Sequence, residues 1–249
     1  DNLNGSQNCF FGSSAADFAT TGSQNTIIGF LAGAYTEGDR NNIMGYFGGH
    51  FNFLGHHNNF IGSYAGRQNN NGNFNVYVGD SAGYFSAGSF NTVIGSLATT
   101  GTSAGSTVSN ATAIGYLAQV DTSNGMVLGS INGVNGATTD TRVGIGITKP
   151  EHKLHVVNSN PQDGGWAEGI VIESVTTPAN AGEAGLSFRN VLLAENKQWT
   201  IGLNQNPLLA FNYGSSFSAG NTRMVIDTLG NVGIGTGTPA AKLDVNGTA

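Results

Sequence analysis

Nine-residue strings of one design recur through the first half of the chain: NTIIGFLAG at 25–33, NNFIGSYAG at 58–66 and NVYVGDSAG at 75–83. Aligned on their first glycine, the units place it at Gly12, Gly29, Gly45, Gly62, Gly79, Gly95, Gly115 and Gly129, in steps of 17, 16, 17, 17, 16, 20 and 14 residues. The residue before it is Phe11, Ile28, Met44, Ile61, Val78, Ile94, Ile114 and Leu128, and the one before that is Phe10, Ile27, Ile43, Phe60, Tyr77, Val93, Ala113 and Val127. Both columns are apolar. Adjacent side chains of a strand point to opposite faces, so each unit predicts a short strand that wants cover on both sides. One column would line the inside of a coil. The other would need something outside it, most simply another copy of the chain.

The flanking columns fit a coil with tight corners. The glycine would end the strand at positive φ or admit a neighbouring backbone. Three residues on stands a small residue: Ala15, Ala32, Gly48, Ala65, Ala82, Ala98 and Ala118. Four residues before the glycine stands Asn8, Asn25, Asn41, Asn58, Asn75 and Asn91. Asparagine tolerates turns and left-handed backbone, and asparagines stacked on successive coils can bond to one another in a ladder. A further half-match, FLG at 53–55, puts Gly55 inside one interval. About 16 residues cannot hold a helix, a strand and their loops. They can make one coil of two short strands and two turns, so residues 1–141 are expected to form a β-roll or β-solenoid. With about 4.8 Å per coil, eight coils would stack to about 40 Å.

A second repeat has a longer range. RVGIGITKPEHKLHVV at 142–157 returns as NVGIGTGTPAAKLDVN at 231–246, with Val143, Gly144, Ile145, Gly146, Pro150, Lys153, Leu154 and Val156 each matched 89 positions on. Each copy reads as strand, proline turn, strand. Neither is large enough to own a core, so pairing with equivalents from other chains is expected. The connectors are therefore 142–157 and 231–249. Between them, 158–230 reads as a β-rich domain with strands near 169–175, 184–190, 198–204, 208–214 and 223–230. No helix of three turns is predicted anywhere, and the fold class is all-β.

Composition sharpens this picture. Only 10% of residues are charged, against about 25% in an ordinary soluble domain. The 39 glycines would suit a disordered chain, but a hydrophobic fraction of 39% in regular runs can offset the entropy of ordering. No lysine precedes Lys149 and no proline precedes Pro150. A proline-free repeat suits coils that donate backbone hydrogen bonds to one another. The net charge of −6 argues against nucleic acid or an anionic membrane as partner. Cys9 is alone, so no disulfide forms within the chain. No apolar run is long enough to span a bilayer, and no signal peptide is visible at Asp1. The sequence opens inside a repeat-like unit, NGSQNCFFG, and stops at NGTA, which reads as a piece of something longer.

Two resemblances follow from these motifs. SNATAIGYLAQVDTSNGMVLGS at 109–130, with its Ala-Ile-Gly core and the 14-residue step from Gly115 to Gly129, resembles the head repeat of YadA-type trimeric autotransporter adhesins. The NTxIGxxAG units look like a looser version of it. The stretch carried by Val232, Gly233, Ile234, Gly235, Thr236, Pro239, Lys242, Leu243, Val245 and Gly247 resembles the VGIGT..P..KLDVNG segment of phage and phage-like tail fibres. In those fibres it often precedes an intramolecular chaperone that is cleaved off after trimer assembly. The first copy departs from it at Ile147, where the second has Thr236. Together the likenesses cover most of 1–157 and 223–249. They imply an intertwined, β-rich homotrimer within a longer fibre, displayed outside the cell or on a virion or phage-like particle.

Candidate chemistry is sparse. His50, His56 and His57 cluster in sequence, and in a trimer one histidine near the axis would become three and could hold a metal. The His-x-His pattern of ion-holding phage fibres is absent, so a structural or solvent-facing role is expected. His152 and His155 would lie on opposite faces of a strand. A tailspike that cleaves glycans would need two acids across a sugar cleft. Asp17, Asp39, Asp80 and Asp121 are scattered singly in turns, whereas Glu168 and Glu173, near Trp166, are the closest pair. All read as solvated surface acids. Trp166, Trp199, Phe211 and Tyr213, with Phe47, Phe51 and Phe53, have faces on which a sugar could stack, but large aromatics more often fill cores and interfaces. GIGITKP lacks the Gly-Lys-Ser/Thr ending and following helix of a phosphate loop. The GGxGxD calcium repeat is missing too, as is the flat threonine array of an ice-binding solenoid. Cys9 reads as a packed small hydrophobe. No catalytic, metal or cofactor residue is assigned. The expected function is a non-catalytic structural or adhesive segment that attaches to a surface, with a surface glycan or a protein receptor as its target. The alternative is a tailspike-type enzyme with a carboxylate pair at a subunit boundary.

Overall fold

The computed structural model describes residues 4–103, 105–157, 184–189, 198–203, 208–214 and 221–246. Among them it holds strands and turns but no helix. The chain divides into two compact units, 1–162 and 163–249.

The first unit is a β-solenoid of about seven turns spaced near 16 residues. Each repeat contributes one three-residue strand: Cys9–Phe11 (β1), Thr26–Ile28 (β2), Asn42–Met44 (β3), Asn59–Ile61 (β4), Val76–Val78 (β5) and Thr92–Ile94 (β6), then, after the short Thr99–Thr100 (β7), Thr112–Ile114 (β8), and, after Gln119–Val120 (β9), Met126–Leu128 (β10). The eight three-residue strands form one sheet in the order β1-β2-β3-β4-β5-β6-β8-β10. Every pair is parallel and in register, so Ile27, Ile43, Phe60, Tyr77, Val93 and Ala113 form one continuous row. The sequence columns are the rows of the sheet.

Among the described residues, the expected second strand per coil survives only as the pair β7–β9 and a bridge between Ser86 and Ser106. Coil-to-coil hydrogen bonds still run along that side, as from Gly33 N to Gly48 O (2.8 Å) and from Gly66 N to Ala82 O (2.9 Å). Left-handed residues interrupt it, for example Leu31 (φ 51°) and Gly33 (φ 53°) in one coil. Extended backbone cannot continue through such positions, so this wall is a stack of turns.

The inner row Ile27, Ile43, Phe60, Tyr77, Val93 and Ala113 is fully buried, and Ala32, Ala65, Ala82, Ala98 and Ala118 share its core cluster. Phe60 and Tyr77 stack with centroids 5.0 Å apart and planes at 10°. That spacing matches the rise between coils. Burial pushes the Tyr77 phenol far above its usual range, outweighing the pull of nearby Asn91 and Ser86, so it stays neutral. The repeated glycine does more than end the strand. At Gly62 φ is +136°, and a Cβ there would stand 2.3 Å from the carbonyl oxygen of Gly79 in the next coil. The coils can approach this closely only without that carbon.

The asparagine column builds a ladder, but its rungs join side chain to backbone. Asn41 Oδ1 accepts from the backbone N of Asn58 (3.0 Å), Asn58 Oδ1 from Asn75 N (2.9 Å), and Asn75 Oδ1 from Asn91 N (2.8 Å). The amide nitrogens of Asn25, Asn41, Asn58 and Asn75 donate to the carbonyls of Gly38, Gly55, Gly72 and Gly88 at 2.8–2.9 Å. Each carboxamide thus clamps both ends of the next coil's corner. The left-handed residue at that corner is the one before the asparagine: Gln24, Arg40, His57, Phe74 and Phe90 have φ between 58° and 61°. Asparagine is there for its side chain, which is buried in Asn25, Asn41, Asn58, Asn75 and Asn91. Gly55 is no stray half-match either. It belongs to a second glycine column, Gly22, Gly38, Gly55, Gly72 and Gly88, whose carbonyls receive those amides from Gly22 and Asn8 onward.

Beyond the coils, Val143–Ile145 (β11) pairs with Leu154–Val156 (β12) in parallel. In the second unit, Ala184–Arg189 (β13), Gln198–Leu203 (β14), Leu209–Tyr213 (β15), Thr222–Ile226 (β16), Val232–Ile234 (β17) and Leu243–Val245 (β18) form a six-stranded sheet in sequence order. The two connector copies repeat their register: Val143 pairs with Leu154, and Val232 with Leu243. Their environments differ. β17 is bound antiparallel to β16 of the same chain, so the second copy finds its neighbour internally, whereas β11 and β12 form a two-stranded sheet. The expected strand at 169–175 lies outside the described residues.

Candidate functional site

The outer row of the solenoid sheet is where structure and chemistry meet. The residues before the glycines point away from the core, and several stay open: Phe11 is 74% exposed, Ile61 37% and Leu128 46%, with Met44 and Ile94 at 39%. Phe30 and Tyr46 flank this row, stacked at 5.5 Å. Ile28, Val78 and Ile114 are half-buried between the exposed members, so the row is apolar throughout and open at intervals.

Other rings climb the outside in register. Phe18 stacks on Tyr35 (4.7 Å) and Tyr35 on Phe51 (5.5 Å), with Phe53 beside them. Along the left-handed corner, Gln24 Nε2 donates to Gln7 (2.8 Å), Arg40 Nε to Gln24 (2.8 Å), His57 stacks on Phe74 (4.6 Å), and Phe74 on Phe90 (5.2 Å). The Arg67 guanidinium lies 5.3–5.9 Å from the rings of Phe47, Phe51, Tyr64 and Tyr84 and donates to the Tyr84 hydroxyl. Cation–π attraction holds it there without a carboxylate.

The histidines that sit together in sequence separate in space. His50 is buried, with Nδ1 3.0 Å from Leu31 O and its ring against Phe51 (4.4 Å). His56 Nδ1 accepts from Asp39 N (2.9 Å), and His57 belongs to the outer corner ladder. His152 and His155 come together instead of diverging, with ring centroids 5.8 Å apart. His152 precedes β12, so strand alternation does not govern it. Among the described residues, no three His, Cys, Asp or Glu side chains gather as a metal site.

Four acids of the coils serve turns, whereas Asp140 pairs with Lys153 (2.6 Å). Asp39 accepts from Ser23 N (2.8 Å), Asp121 from Gln119 Nε2 (2.8 Å), and Asp80 from the Ser81 hydroxyl (3.0 Å). Glu37 accepts from the hydroxyl and backbone N–H groups of Thr20 and Thr21. Partial burial pulls its carboxyl up, but those hydrogen bonds outweigh it and hold the group below its usual range. Glu168, Glu173 and Trp166 lie outside the described residues. Trp199 and Tyr213 face each other across β14 and β15 at 5.5 Å, with Phe211 in the same β15 strand. Cys9 is exposed, not packed. It falls one position before the two apolar columns, in a row with Thr26, Asn42 and Asn59.

Two features were not read from the sequence. The buried polar residues Thr36, Asn52, Asn69 and Ser86 recur seven residues after the main glycine, and two of them, Asn52 and Asn69, supply the Asn58 and Asn75 amides with acceptors. Their period was visible; their side-chain chemistry varies too much to stand out. A cleft bounded by Tyr84, Phe85, Leu97, Gln119 and Asn135 gathers residues far apart in the chain, and no local pattern announces it. Compared with protein-family models, curated proteins and solved structures, the chain matches none.

Proposed function

We propose that this chain is a structural and attachment segment of a fibre built from three copies of itself, carried outside the cell or on a virion or phage-like particle, with no catalytic turnover. The observation that carries the reading is the apolar row from Phe11 to Leu128, one residue per coil on the face away from the core, with Phe11, Met44, Ile61, Ile94 and Leu128 exposed and the other three half-buried. A sheet that is apolar on both sides is covered on both sides in a stable protein, and a closed symmetric assembly is the simplest cover. The short connectors fit the same reading: Ile145, Leu154, Leu243 and Val245 are exposed apolar residues on strands of three residues. Glu37, Asp39, Asp80 and Asp121 are engaged in turns of the coils, which favours the non-catalytic reading over the glycan-cleaving alternative.

Sedimentation equilibrium tests the assembly. The chain is expected at three times its monomer mass at micromolar concentration. Ile61→Asp combined with Ile94→Asp is expected to return it to a monomer with an unchanged far-ultraviolet spectrum. A stably folded wild-type monomer would overturn the proposal.

A further inference from the structure

We infer that the cleft beside the short β7–β9 pair of the solenoid is a binding site for an uncharged saccharide. The cleft has a volume of about 390 Å³, within the range of small-ligand sites. It exists because the repeat departs from its period there. The step from Gly95 to Gly115 is the longest in the chain, and the loop after β10 folds back so that Asn135 Nδ2 donates to Leu97 O (2.7 Å) and Leu117 O (3.4 Å).

The lining combines rings, carboxamides and the hydroxyls of Ser81, Thr99 and Thr102, of which that of Thr99 has no hydrogen-bond partner and can donate to a ligand oxygen. Tyr84 and Phe85 meet edge to face at 4.5 Å, Phe85 is 42% exposed, and Leu97 adjoins them. Opposed to these are carboxamides with only one end left to offer. The Gln119 amide nitrogen is held by both oxygens of Asp121 (2.8 and 3.0 Å), and that of Asn135 by the two carbonyls. What remains on each is an oxygen, which accepts. The Ser81 hydroxyl donates to Asp80, so it too offers an acceptor. No charged side chain lines the cleft. Arg67, bonded to the Tyr84 hydroxyl, is not among the lining residues.

A complementary ligand needs an apolar face for the rings, several hydroxyl donors for the fixed acceptors, and no net charge. A pyranose ring has all three: C–H groups on one face and hydroxyls around the rim. An anion would find no cation, and an aliphatic ligand would leave the carboxamide oxygens without donors. The inference deepens the attachment part of the reading above. Because one chain builds the cleft, the two fail separately: a monomer that binds sugar keeps the site and loses the fibre, and a trimer that binds none does the reverse.

The test begins with the chain on an array of neutral and sialylated oligosaccharides, with capped acetyl-Gly-Tyr-Gly-amide as a peptide probe. Hits are then titrated by NMR. Neutral oligosaccharides are expected to bind and to shift the side-chain amide resonances of Gln119 and Asn135. Phe85→Ala is expected to weaken binding about tenfold, a change of the size that one lost ring contact brings, while Phe85→Trp restores it and Phe18→Ala leaves it unaltered. The resonance shifts read the site in the unmodified chain, whatever the variants do to folding. An array without neutral hits, binding confined to sialylated sugars, stronger binding of the peptide, or shifts away from Gln119 and Asn135 overturns the inference.

Discussion

Phe60 and Ile61 are neighbours in one strand, yet they belong to different parts of the protein. Phe60 is fully buried between Ile43 and Tyr77, in the row that forms the core. Ile61 is 37% exposed on the other face. Both are apolar, and both recur in every coil. The difference teaches that a coil buries one apolar row to fold and leaves the second on its outer face. In a thin solenoid the inner wall has no depth to spare, so the outer row cannot be a reserve of core.

Substitutions along Asn58–Gly62 test that division. Gly62→Ala should have the largest effect, roughly 5 kcal/mol, because it adds a strained positive φ to a clash with the next coil's backbone. Urea unfolding should show the loss, and an unchanged midpoint would refute the close-approach argument. Phe60→Ala should cost about 4 kcal/mol by leaving a cavity in the core row. Asn58→Ala should cost about 3 kcal/mol, since Asn75 N, Gly72 O and Asn52 Oδ1 each lose a buried partner. Hydrogen exchange at the Asn75 amide should quicken with it.

Ile61→Ala should cost an isolated chain under about 1 kcal/mol, while weakening self-association about tenfold or more in a dilution series. Equal stability losses at Phe60 and Ile61 in a monomer would erase the distinction between the rows. The smallest effect is one of pH. Glu37 is held below its ordinary carboxyl range, so its contribution is complete above that range and disappears as pH falls through the lower folded value. The Thr20 and Thr21 amides, which bond to Glu37, should exchange faster only in acid.

The repeat, the parallel stacking and the inner row were legible in the sequence because they are periodic. A period near 16 residues fixes what stacks on what, and two adjacent apolar columns fix that a strand has two apolar faces. Strand positions in the second unit were legible for the same reason: β13, β14 and β15 match the runs at 184–190, 198–204 and 208–214 within one residue at each end, while β16 covers only the first part of the run at 223–230. The direction of each corner was not. Asparagine suits both a left-handed backbone and a capping side chain, and only the packed coils show that it caps while Arg40, His57 or Phe74 takes the left-handed φ.

The sequence by itself determined that this protein is a stack of coils, that glycine must stand at each crossing, and that the sheet has two apolar faces, because these depend on short-range period and backbone sterics. Only the tertiary structure decided that His50, His56 and His57 part company, that the carboxamides clamp the next coil's turn, and that Asn135 reaches back to Leu97 to close a cleft. Those outcomes depend on which side chains meet across coils and loops, and sequence neighbours carry no record of that distance.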